Sequence, residues 1–378
     1  MRYLPLCLLL FLAVFQVSAC AQGAVLVIID GMGSSYLNSH VATYASGAAI
    51  EPISLKSFDR AMAQYQLKVP VPATEYGHAV IVTGYSKASQ ETLTYYHATI
   101  FDALEDDGYL ALGILENGDS KEMLGELDAA VHNKNESIYK PDIEFLSREQ
   151  NVPADIAYMM ESHARLGESK AGKDPYKHYI EYNEWAVGFA TDVVRYMGER
   201  HPGQNYVLIV NAGGLDSAGH SFGYDGYRAV LTGLDDAMGG LVDACEETGT
   251  ILMVTGDHGM SFPDQGKKGS HSAPDVASRN ESVLVPLLIY PNTTMISGGV
   301  YGQECLAPTL LSLLDEPNTL SVCDGEPIPI KDRPALYSKM DTGEQAKPSS
   351  HTWMAYAAVA GISATGICIA LSLAQMRK

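Results

Sequence analysis

Five short apolar runs, residues 24–29, 109–115, 206–210, 251–254 and 283–289, alternate with helical patterns along the chain. Runs of this length without polar alternation read as parallel strands buried on both faces. Between the third and fourth, Val230, Leu234, Met238, Leu241 and Cys245 recur at helical spacing and form one apolar stripe over about 227–247. Strand, helix and strand in that order make a βαβ unit. The fold class expected is therefore α/β, a doubly wound, mostly parallel sheet, and no internal repeat competes with it. The stretch 116–202 is polar, with weak helical patterns, and reads as a small lid insertion over the sheet.

With 378 residues, 46% of them hydrophobic, the chain can bury a full core. The organisation expected is a signal peptide at 1–21, a globular domain at 22–338, a stalk at 339–352, a transmembrane helix at 353–374 and a cytoplasmic tail at 375–378. Arg2, the apolar run 4–17 and Ala19-Cys20-Ala21 describe a secretory signal. Val17-Ser18-Ala19-Cys20 also resembles a bacterial lipobox, the rival reading in which Cys20 is lipidated. Residues 354–373 carry no charge and have the length of a bilayer span. Trp353 at one edge and Arg377-Lys378 past the other put the tail in the cytoplasm and the domain outside, a single-pass protein of the cell membrane. A GPI signal is the alternative, set against by the basic end.

The 45 acidic and 25 basic residues give a formal charge of −20, which would repel nucleic acid and excludes it as a partner. Beyond the signal, Cys245, Cys305, Cys323 and Cys368 form no disulfide framework. Cys305 and Cys323 flank an apolar segment and could pair in an oxidising compartment. Glycosylation sequons begin at Asn135, Asn280 and Asn292.

Open α/β sheets bind ligands beyond the carboxyl ends of their strands, and three aspartates fall there. Asp30 ends the first run, Asp216 follows the third and Asp257 the fourth, each near a glycine that lets backbone and metal approach closely. Histidines accompany two of them, in Asp216-Ser217-Ala218-Gly219-His220 and Asp257-His258-Gly259. Carboxylate with imidazole suits zinc, and manganese nearly as well. Each aspartate alone reads as a turn or N-cap residue; their joint occurrence on three strand ends reverses that reading.

Taken in chain order, these residues resemble the alkaline phosphatase superfamily, which includes nucleotide pyrophosphatases/phosphodiesterases and cofactor-independent phosphoglycerate mutases. Val27-Ile28-Ile29-Asp30-Gly31-Met32-Gly33 is similar to its opening strand, and Thr74-Glu75-Tyr76-Gly77-His78 to its nucleophile turn. The two Asp/His motifs match its metal motifs, His271 fits its late histidine, and the segment from Cys305 to Leu314 resembles its closing helix. The resemblance implies that Asp216, His220 and His271 hold one divalent ion and that Asp30, Asp257 and His258 hold the other. Thr74 would lie between them as nucleophile and metal ligand. Two zinc ions are expected, with manganese as the alternative. Where alkaline phosphatases proper carry a Glu, this chain has Asn211, which argues against their additional magnesium site. Where the nucleotide pyrophosphatases carry a phosphate-orienting Asn, it has Gly77.

The activity implied is extracytoplasmic, metal-dependent hydrolysis of phosphate monoesters through a threonine phosphoenzyme. Phosphodiester or nucleotide pyrophosphate cleavage is the alternative, and a catalytically silent surface binding module is the alternative of another class. A mutase would insert a whole transferase domain between Thr74 and Asp216, and a sulfatase would carry C/S-x-P-x-R, which the Thr74 segment lacks. The partners expected are a small phosphorylated substrate and, through the C-terminal helix, the membrane; the reading leaves room for a homodimer.

Overall fold

The computed structural model describes residues 22–37, 42–61, 63–115, 121–135, 137–138, 141–148, 152–165, 175–290 and 299–330. The expected signal peptide, stalk, transmembrane helix and tail lie outside them, as do Cys20, His40, Cys368 and the sequon at Asn292. Among the described residues no helix is long and apolar enough to cross a membrane.

In chain order the strands are β1 (Gly23–Ile29), β2 (Ala63–Lys68), β3 (Leu110–Leu115), β4 (Ala129–Asn133), β5 (Ile143–Ser147), β6 (Tyr206–Ala212), β7 (Ile251–Thr255), β8 (Leu284–Tyr290) and β9 (Val300–Gly302). They form one sheet in the order β5-β4-β3-β6-β1-β7-β8-β2-β9. The helices are α1 (Thr74–Thr83), α2 (Ile100–Asp106), α3 (Lys121–Leu124), α4 (Ala154–Ala164), α5 (Lys177–Arg200), α6 (Gly214–Thr248), α7 (Asn280–Val283) and α8 (Leu306–Leu313).

All five apolar runs become strands, and β4, β3, β6, β1 and β7 pair in parallel at the centre of the sheet. The run expected as a fifth parallel strand, β8, instead runs antiparallel to both β7 and β2. Its apolar pattern reports burial on two faces, and burial does not set direction. The sheet is therefore mixed α/β.

Strand alternation divides the core. Val25, Val27 and Ile29 of β1 and Leu208, Val210 and Ala212 of β6 join one cluster with α5 and α6, including the predicted stripe from Val230 to Cys245, all of it fully buried. Each such Val, Leu, Ile or Met side chain contributes roughly 1.5–3 kcal/mol by leaving water. Helices α1, α2 and α8, which pack outside that cluster, serve the opposite face. Helix α6 is two helices joined at Gly223, whose φ of 68° and ψ of −156° are not helical.

The segment 116–202, expected as a lid, instead builds the scaffold. It supplies β4 and β5 at one sheet edge, and its α5 packs along α6. The apolar stripe of α5 is real but disguised, because His178, Tyr179, Tyr182 and Asn183 share the buried face with Ala186, Val187, Ala190 and Val194. Tyr179 and Tyr182, 4% and 3% exposed, are core residues.

Candidate metal centre

Strands β6, β1 and β7 are neighbours in register, Ile29 beside Ala212 and Ile28 beside Thr255, so their carboxyl ends finish together. Asp30 leaves β1 there, Asp216 and His220 stand on the first turns of α6 after β6, and Asp257 and His258 follow β7. His271 arrives from the following loop and Thr74 from the start of α1. All seven predicted positions converge.

Among the described residues, two groups bring ligand atoms close enough to hold one ion each: Asp30, Asp257 and His258, and Asp216, His258 and His271. His258 belongs to both, its Nε2 lying 3.4 Å from Asp30 Oδ1 and 3.5 Å from Asp257 Oδ2. His220 stands outside both compact groups. Its Nε2 is nevertheless 3.4 Å from Asp216 Oδ2, and its ring centre 5.2 Å from that of His271.

The backbone orients these side chains. His220 Nδ1 lies 3.0 Å from the Gly269 carbonyl, His258 Nδ1 2.9 Å from the Gly259 carbonyl, and His271 Nδ1 2.6 Å from the Pro72 carbonyl. A carbonyl can only accept, so each Nδ1 carries the proton, and in the neutral ring Nε2 keeps its lone pair for the centre. Asp257 Oδ1 accepts from the amides of Gly31 at 3.1 Å and His258 at 2.8 Å. Its other oxygen, Oδ2, is buried without a hydrogen-bond partner, as is Asp216 Oδ1. Buried carboxylate oxygens left bare beside three lone-pair imidazoles suit a divalent cation, and the all N/O donor set fits zinc or manganese.

Burial opposes ionisation of Asp216, but when the imidazoles are protonated the hydrogen bond from His220, with the charges of His258, His220 and His271, outweighs it and holds the carboxyl below its usual range. The same contact, foremost the hydrogen bond that protonated His220 donates to Asp216, raises His220. His271 is held below the ordinary imidazole range, first by burial and then by His258, stacked on it at 3.7 Å between ring centres.

Thr74 is the first residue of α1, not its cap. Ala73 occupies the N-cap, in extended conformation and without a side chain to cap the helix. Thr74 Oγ1 lies 3.1 Å from His258 Nε2. Gly77, the departure noted above, has a role of its own. A Cβ there would stand 2.5 Å from the Asp257 carbonyl oxygen, so only glycine lets α1 lie this close to the β7 end. His78, 2% exposed, is buried behind it, with Nε2 3.9 Å from Asp257 Oδ2. Burial holds its pKa below the usual value.

Sequence reasoning missed the supports. Gln303 is fully buried and donates from Nε2 to the carbonyls of Gly256 (3.2 Å) and Asp257 (2.9 Å), yet in sequence it looks like any residue before a helix. The carbonyls of Pro72, Gly259 and Gly269 have no sequence signal at all. The remaining described histidines stand in other surroundings: His132 beside Glu144, His163 on Phe189, His201 on Asp155, His97 beside Asp106 and His178 on the buried face of α5. Arg165 pairs with Glu161 of its own helix.

A family model described as the metalloenzyme superfamily matches residues 187–292, which contain Asp216, His220, Asp257, His258 and His271. The 2,3-bisphosphoglycerate-independent phosphoglycerate mutase of Chromohalobacter salexigens is 30% identical over 116 residues, 29% of this chain and 21% of that protein. The match thus spans about a fifth of the curated relative's length. Among solved structures, a protein in the alkaline phosphatase superfamily from Vibrio parahaemolyticus shares the fold with TM-score 0.51 at 16% identity, over 82% of this chain and 70% of that one. A structure solved with its substrate, D-glucosamine-2-N,6-O-disulfate, shares it with TM-score 0.53 at 12% identity, over 87% and 82% of the two chains.

Proposed function

The metalloenzyme match, the mutase relative and the shared fold support the alkaline phosphatase superfamily, and from that premise we propose that this chain hydrolyses phosphate monoesters at a two-metal centre with Thr74 as nucleophile. The observation that carries the reading is the position of Thr74. Its hydroxyl faces His258, the residue common to both ligand groups, from the uncapped start of a helix.

Asp30, Asp257 and His258 would hold one ion, and Asp216, His220 and His271 the other. Divalent cations bound there supply charge neutralisation for the phosphoryl group and a lowered pKa for the threonine hydroxyl. The chain's own residues do the rest. The first amides of α1, without a side-chain cap, offer hydrogen bonds and the positive end of the helix dipole to phosphoryl oxygens. Gly77 keeps that helix end against Asp257, which would set a bound anion beside the ligand carboxylates. Thr74 Oγ forms a bond to phosphorus as the bond to the leaving alcohol breaks. Water then cleaves the phosphothreonine and releases phosphate.

The test is a substrate panel of phosphomonoesters, phosphodiesters and sulfate esters, run on protein stripped by chelator and then reloaded with zinc or manganese. Monoester turnover should vanish on stripping and return on reloading. Full activity after exhaustive stripping would refute the metal reading, and preferential turnover of diesters or sulfate esters would refute the substrate assignment.

A further inference from the structure

The loop that leaves β1 is Asp30-Gly31-Met32-Gly33, and it touches ligands of both groups. It carries Asp30, its Gly31 amide donates to Asp257 Oδ1 at 3.1 Å, and Gly31 lies against Asp216, where an added Cβ would stand 3.0 Å from Asp216 Cβ. Gly31 adopts a φ of 78°, so neither its conformation nor its space admits a side chain that could anchor the loop from within. A loop with two glycines in three residues is soft. Something outside it has to fix its position.

That anchor is Tyr227. It stands on the second segment of α6, past the break at Gly223, and is fully buried. Its ring is locked among Tyr36 and Phe262, at centroid distances of 4.9 Å and 5.4 Å. Its hydroxyl donates to the Gly31 carbonyl at 3.0 Å and accepts from the Gly33 amide at 3.2 Å, one bond on each side of Met32. Both loop groups are buried, so an unmet bond would not be replaced by water. The first segment of α6 bears Asp216 and His220, and the second, through Tyr227, fixes the loop bearing Asp30.

We propose that Tyr227 is a positioning residue for the metal centre: its hydroxyl clamps the Gly31–Gly33 loop and so sets the separation between Asp30, Asp257 and Asp216. The inference rests on the metal reading above. Tyr227→Phe tests it, because phenylalanine keeps the aromatic packing and removes only the clamp. Tyr290→Phe is the matched control, since it also deletes a fully buried phenol hydroxyl, one bonded to the Ser57 carbonyl at 3.0 Å. Zinc affinity is measured by competition with a chromophoric chelator, the cobalt-substituted absorption spectrum is recorded, and unfolding of the metal-free proteins is followed in parallel. Tyr227→Phe should weaken zinc binding by about 10-fold or more, as loss of an outer support does, and shift the cobalt spectrum. Tyr290→Phe should bind as the wild type does, while both variants lose similar metal-free stability. Wild-type affinity in Tyr227→Phe, or an equal loss in Tyr290→Phe, would overturn the positioning role. A wild-type protein that takes up no metal would overturn the metal reading beneath it, and the inference with it.

Discussion

At Thr74 the hydroxyl faces His258 and not the backbone of its own helix, and this choice of partner decides what its removal does. A capping threonine would cost roughly 1 kcal/mol of stability when truncated. Because Ala73 holds the cap position, Thr74→Ala should change stability by less than about 0.5 kcal/mol, yet lower kcat on the order of 10^4-fold with metal content unchanged. Thr74→Ser keeps the hydroxyl and should retain measurable turnover. Denaturant unfolding, metal analysis and kcat on the three proteins check this; near-wild-type turnover in folded, metal-loaded Thr74→Ala would remove Thr74 from the chemistry. Asp30, Asp216 and Asp257 could be picked out in sequence because each follows a buried strand, and His220 and His258 because they share short motifs with two of them, whereas Thr74 and His271 were picked out only through the family resemblance. What holds them was not legible. Backbone carbonyls orient all three imidazoles, and a carbonyl looks the same in every sequence.

Helix α6 bears both a core face and two of the candidate ligands. The apolar stripe marks its second segment, but the segment bearing Asp216 and His220 belongs to the same element and is re-aimed at Gly223. The backbone there occupies a region essentially restricted to glycine, and a Cβ would collide with the Lys267 carbonyl. Gly223→Ala should therefore destabilise the protein by about 1–3 kcal/mol and, by pushing away the strand of chain that ends at Gly269, disturb the carbonyl that orients His220. Thermal unfolding and zinc titration of the variant check both effects; a variant as stable and as tightly metal-binding as the wild type would show that the break is incidental. Periodicity found five buried strands but not the direction of β8, nor β4 and β5 toward one edge of the sheet, nor β2 and β9 toward the other. On α5 it failed because a core face made partly of tyrosine, histidine and asparagine does not stand out from a polar surface.

For the whole molecule, the parallel strands β6, β1 and β7 bring residues from positions 30 to 271 together at their carboxyl ends, and α1 completes the site from the opposite side of the sheet. That assembly could be anticipated because the order of the motifs follows the order of the strands. The terminal segments rest on composition alone: an apolar start, and an uncharged run before Arg377-Lys378. On the proposed function, Thr74 takes the phosphoryl group between two ligand sets. The most direct measurement is acid quenching of the zinc-loaded protein during turnover of a phosphomonoester, followed by peptide mass spectrometry. Phosphate is expected on Thr74 in the wild-type protein, absent from the chelated protein and from Thr74→Ala. Turnover that proceeds with no phosphopeptide at any quench time, and that survives Thr74→Ala, would contradict it.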